Sequence, residues 1–153
     1  MVAPAAESRP NPLSLFFRPF TLGGQTAGDL GRAIPLLEQT LTDTARVLGA
    51  DHPDTLTSRN NLASAYATAG DLGRAIPLYE QNLTDTARVL GADHPDTLTS
   101  RNNLAIGLWN SGQKEAAISQ IRLALDVATR SLSNGHPLTT HFRAQLTQMM
   151  GMS

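Results

Sequence analysis

The 153-residue chain contains no cysteine, one lysine, one tryptophan and two tyrosines, and it has no long apolar run. Without cysteine there is no disulfide framework, no thiol chemistry and no cysteine-ligated zinc, so a reducing compartment is expected. Nowhere do about 18 consecutive apolar residues occur, so no membrane-spanning helix is expected. The opening Met1-Val-Ala-Pro-Ala-Ala-Glu-Ser lacks the basic and apolar regions of a secretory signal, and a cytoplasmic location is expected. Twelve basic against thirteen acidic residues give a net charge of −1. No bulk field then favours nucleic acid or an anionic membrane as a partner.

Repetition is what the chain has in plenty. Gly-Ala-Asp-His-Pro-Asp-Thr-Leu-Thr-Ser-Arg-Asn-Asn-Leu-Ala starts at Gly49 and again, unchanged, 42 residues later at Gly91. A further 42 residues on, His136-Pro137, Arg143 and Leu146 answer His94-Pro95, Arg101 and Leu104. Residues 28–63 and 70–105 differ only at Leu37/Tyr79 and Thr40/Asn82. A period of this size indicates a stacked array of supersecondary units.

Each unit reads as two helices. The first opens at a proline, where the missing N–H has no helical partner to lose, with Asp54 or Asp96 in its first turn. Leu56, Leu62, Ala63, Tyr66 and Ala69 fall on one face, and Gly70 or Gly112 ends the helix. The second helix follows Asp29 or Asp71 as N-cap and presents Leu72, Ala75, Ile76, Tyr79, Leu83, Ala87 and Leu90 to the core. Its internal Pro77 crowds the carbonyl four residues back, at Gly73, where the backbone is free to adjust; Pro35 and Gly31 repeat the pair. The expected architecture is all-α, with six helices near 30–48, 53–69, 72–90, 95–111, 113–131 and 137–150. Residues 28–153 form the array. Residues 1–27, with prolines at 4, 10, 12 and 19, are expected to be irregular, with Phe16, Phe17 and Phe20 either covering the open end of the array or serving as a docking peptide.

Leu62-Ala63-x-x-Tyr66-x-x-x-Gly70 followed by Ala75-x-x-x-Tyr79, and Leu104-Ala105-x-x-Leu108-x-x-x-Gly112 with Ala117-x-x-x-Ile121, resemble the tetratricopeptide repeat. The 42-residue period and the His-Pro-Asp opening resemble its longer variant, found in kinesin light chains and many bacterial signalling proteins. The resemblance implies a right-handed α-solenoid of antiparallel helix pairs whose first helices line a concave groove for a peptide. It places groove asparagines at Asn61 and Asn103, with Gln145 in the third unit. An amide can bind a peptide backbone without reading its side chains; alternatively these amides cap neighbouring turns or face water. Asn60 and Asn102 stand beside them.

Thr57, Ser64 and Thr68 in one layer and Thr99, Ile106, Trp109 and Asn110 in the next complete the expected groove. Trp109 replaces Ala67 in a nearly copied helix, either as a binding anchor or as cover for the last unit. Arg59, Arg101 and Arg143 form a column that either clamps an acidic peptide or pairs with Glu80 or Asp85 of the adjacent helix. Asp51-His52-Pro53-Asp54 offers too few convergent ligands for a metal and reads as a turn and helix start. No oriented nucleophile–base pair or phosphate loop is present, so no catalysis and no cofactor are expected. The function expected is a non-enzymatic scaffold for a protein or peptide partner. The alternatives are self-assembly through the unpaired end helices 30–48 and 137–150, or a fragment of a larger signalling protein.

Overall fold

A computed structural model describes residues 27–151, and the expectations for residues 1–26 lie outside it. The described residues form six helices: α1 (Ala27–Leu48), α2 (Pro53–Thr68), α3 (Leu72–Leu90), α4 (Pro95–Asn110), α5 (Lys114–Ser131) and α6 (Pro137–Met149). The principal contacts run between consecutive helices, the pattern of a solenoid.

The helix boundaries follow from local chemistry. α2, α4 and α6 begin with proline after a histidine N-cap, and His52 and His94 accept the N–H of Asp54 and Asp96 on Nδ1 at 3.2 and 3.1 Å. His136 accepts that of Leu138 at 3.2 Å. Thr55 and Thr97 add a hydroxyl bond to the carbonyls of Gly49 and Gly91, each at 2.7 Å. Gly70 and Gly112 end α2 and α4 at φ values of 82° and 85°, where a side chain would be strained. Asp71 caps α3 as expected, accepting from Arg74 N at 3.1 Å. Asp29 does not occupy the same place: α1 begins earlier, at Ala27, so Asp29 lies inside its first turn. Pro35 and Pro77 are accommodated within continuous helices.

Two cores fill the stack. Leu62, Ala63, Tyr66, Ala75, Tyr79, Leu104, Leu108 and Ala117 form the first, and Leu98, Ala105, Ile121, Ala124, Ala128, Leu138 and Phe142 the second. Ala69, expected on the packed face of α2, lies past the helix end and is exposed. Tyr79 is buried with its hydroxyl 3.0 Å from Ser64 Oγ, and burial pushes its phenol up despite that bond. An ion-pair network ties the first layer together. Arg59 Nη1 lies 2.7 Å from Asp85 Oδ2, while Arg88 grips Asp51 at 2.5 and 2.9 Å and touches Asp85 at 3.3 Å.

Candidate functional site

The first helices α2, α4 and α6 expose one stripe each. On α4 the stripe is Asp96, Thr99, Asn103 and Ile106, spaced three, four and three so that all four share a face. Two clefts open along it. The first, about 160 Å³, is lined by Pro53, Leu56, Thr57 and Asn60 of α2, by Asn82, Thr86 and Leu90 of α3, and by Asp96, Thr99, Ser100 and Asn103 of α4. The second, about 200 Å³, is lined by Ile106 and Trp109 of α4 and by Gln145, Gln148 and Met149 of α6.

The first cleft is polar because its walls carry short hydrogen-bonding side chains. Asn103 Nδ2 donates to Asn60 Oδ1 at 2.9 Å across the two first helices. Asn82 is buried and donates to Ser100 Oγ at 3.2 Å. Thr86 turns its hydroxyl back to the Asn82 carbonyl at 2.8 Å. Trp109, a half-buried wall of the second cleft, also meets Lys114, whose Nζ stands 5.0 Å over the indole ring in a cation–π contact. Trp109 also packs against the first core, so it is at once a cover for that core and a cleft wall.

Of the residues expected in a groove, Thr57, Asn60, Thr99 and Asn103 line the first cleft and Ile106, Trp109 and Gln145 the second. Asn61 is half-buried and Asn110 exposed, and neither wall includes them. Asn102, Ser64 and Arg59 are buried, which removes them from a groove ligand's reach. Ser64 is held by Tyr79, and Arg59 by Asp85 on the adjacent helix; Glu80 is exposed and takes no part. Thr68 is exposed and bonds the Ser64 carbonyl at 2.8 Å. Arg101 is half-buried and donates to Gln120 Oε1 at 2.8 Å, with burial lowering its guanidinium. Arg143 is exposed. The column therefore splits into a buried ion pair, a guanidinium bonded to a neutral amide, and a surface cation with no carboxylate partner among the described residues.

The 42-residue offset shows why the polar cleft does not recur one unit later. Asn82, Thr86, Asp96 and Ser100 of the first cleft correspond to Ala124, Ala128, Leu138 and Phe142 one unit later. All four of the latter are buried in the second core. Apolar substitution has filled the equivalent space, leaving Asn102 fully buried, with neither amide atom bonded among the described residues. The contributions of Asn82, Thr86 and Ser100 were not expected from the groove pattern of the first helices. Their signal in the sequence is this set of four replacements at corresponding positions.

Among the described residues no group of three or more His, Asp or Glu side chains is placed to hold a metal ion. No described helix is long and apolar enough to cross a membrane.

The tetratricopeptide repeat family model matches residues 25–84 and 72–130. No curated protein matches the chain significantly. A solved putative kinesin light chain from Podosopora anserina with nearly identical TPR-like repeats is similar over 80% of this chain and 58% of its own, at 30% identity and a TM-score of 0.72. A single-substitution variant of that protein matches equally well, at 30% identity over 80% of this chain and 57% of its own, TM-score 0.72. BtubC (BKLC) from P. vanneervenii shares the fold at 20% identity, covering 81% of this chain and 51% of its own, with a TM-score of 0.71. The chain thus spans somewhat over half the length of these structures. With the repeat model covering residues 25–130 and the right-handed solenoid matched in solved structures, this chain belongs to the tetratricopeptide repeat family, in its kinesin-light-chain-like form.

Proposed function

We propose that the chain is a non-catalytic interaction scaffold that holds an extended partner segment along the stripe shared by α2, α4 and α6. The observation that supports this most is the continuity of the two clefts on one face of α4, where Asn103 and Ile106 stand a single turn apart. Within the Asn60–Asn103 bond each amide uses one group on the other. The amide N–H groups of Asn60 and the carbonyl of Asn103 remain as donors and an acceptor, the complement of one peptide unit. One turn on, Ile106, Trp109 and Met149 supply an apolar seat for a side chain of the same segment. The ligand is thereby a linear peptide gripped by its backbone in the polar cleft and anchored by an apolar side chain beside Trp109. A net charge of −1 gives no reason to add nucleic acid or an anionic membrane to its partners.

Selection of binders from a displayed library of random linear peptides tests the reading, with binding followed by the emission of Trp109, the only tryptophan. Selected peptides should bind the Asn60→Ala/Asn103→Ala variant at least about tenfold more weakly, a difference of about 1.4 kcal/mol. Failure to select any peptide, or equal affinity for the variant, would overturn it.

A further inference from the structure

Among the described residues the two ends of the array are unpartnered and unlike: α1 is a second helix with no first helix before it, and α6 is a first helix with no second helix after it. Corresponding residues reveal the open faces. Leu36 is 69% exposed where its counterpart Leu78 is packed against the first core. Met150 is 42% exposed where Leu108, at the corresponding position of α4, is 6% exposed.

Charge is complementary across the same two faces. Within the chain, Arg59 on a first helix meets Asp85 on the following second helix at 2.7 Å. Arg143 is the corresponding arginine of α6, exposed and with no carboxylate partner among the described residues. Asp43 is the corresponding aspartate of α1; its side chain is 49% exposed and its ion pair is with its own helix, to Arg46 at 3.5 Å. α1 differs from α3 between residues 28 and 48 only at Leu37 and Thr40, so it presents nearly the surface that α3 presents to α2.

We propose that the α6 face of one molecule docks on the α1 face of a second copy of this chain, with Arg143 and Asp43 forming between molecules the ion pair that Arg59 and Asp85 form within one. The contact is heterologous and repeats the array's own stacking step, so it propagates head to tail instead of stopping at a dimer. It is weaker than an internal junction. Arg88 has a second carboxylate in Asp51, whereas Gly135 stands at the corresponding position of the loop before α6, leaving Arg46 without that bond at the new junction. Assembly is therefore expected to depend on protein concentration and to weaken with salt.

Sedimentation or light scattering of the full chain over a concentration series tests this. The mean mass should rise with concentration, and either Asp43→Arg or Arg143→Asp should move the onset to at least about tenfold higher concentration. Both side chains are largely at the surface, and unchanged melting curves would verify that the variants fold. Mixing the two variants should restore growth, because every junction in an alternating chain then pairs opposite charges. A full chain that stays monomeric at its highest soluble concentration, as it would if its own residues 1–26 covered α1, overturns the proposal. Growth that ignores both charge reversals, or that mixing fails to restore, does the same.

Discussion

Gly107 of α4 lies directly beneath the Tyr79 ring of α3: a Cβ added to it would stand 3.3 Å from Tyr79 Cδ2. One unit earlier the same two positions hold Leu37 and Ala65. The larger ring thus stands opposite the smaller residue. Tyr79 is buried and tethered to Ser64, which limits how far the ring can tilt aside. Gly107→Ala should therefore destabilise the wild type, despite a helix preference for alanine of about 1 kcal/mol. In a Tyr79→Leu background the same change should stabilise. A double-mutant cycle by denaturant unfolding reads the reversal of sign.

Breaking the buried pair should be costly. Arg59→Met leaves Asp85 buried with only Gln81 and Arg88 as partners, and a loss of about 3 kcal/mol is expected from chemical denaturation. Burial raises the Asp85 carboxyl, but the Gln81 and Arg88 hydrogen bonds and the nearby Arg59 outweigh it and hold it below the ordinary carboxylate range. Arg143→Met, at the exposed counterpart, should leave monomer stability within about 0.5 kcal/mol.

Asn102 should be improvable. Its amide is fully buried beside the second core with neither polar atom bonded among the described residues. Asn102→Leu removes that desolvation cost and is expected to raise stability by about 1 kcal/mol, seen as a higher Tm. Asn60→Leu, in the open polar cleft, should show no such gain.

The histidine caps contribute separately. His94→Ala exposes the Asp96 N–H at the start of α4 and should cost about 1 kcal/mol, while His94→Asn restores a capping oxygen and most of the loss. Thermal melts of the two variants against wild type give the comparison.

His141 sets a pH dependence. Burial holds its imidazole below the ordinary value, and the hydrogen bond with Gln145 only partly opposes this. In the window between its folded and unfolded values the unfolded chain binds the extra proton, so stability falls as pH drops below about 6.5 and levels off under the folded value. His141→Gln should flatten the Tm profile between about pH 7.5 and 5.5, a window set by the ordinary histidine value of about 6.5.

The fold was legible because its signals are local. Pro53, Gly70 and Asp71 punctuate the helices through contacts within a few residues, and the 42-residue echo supplies the stacking. The site was legible only in part. Resemblance pointed to Asn61 and Asn103, yet the amides that meet are Asn60 and Asn103, 43 positions apart, because the twist between layers decides which side chains face one another. Asn60 and Asn102 occupy copied helices but differ in fate: Asn60 lines a cleft with Asp96 and Ser100, whereas Asn102 is fully buried in the unit where the corresponding positions hold Leu138 and Phe142. Near-identity of the copies hides such differences; the few replaced positions reveal them.

The concentration of packing between consecutive helices also bears on how such a molecule forms and diversifies. Its wiring joins mainly neighbouring helices along the chain, which favours rapid folding from several starting points. The same wiring makes array length a free variable in evolution: a duplicated unit severs one junction, creates two of the same kind, and disturbs nothing farther away.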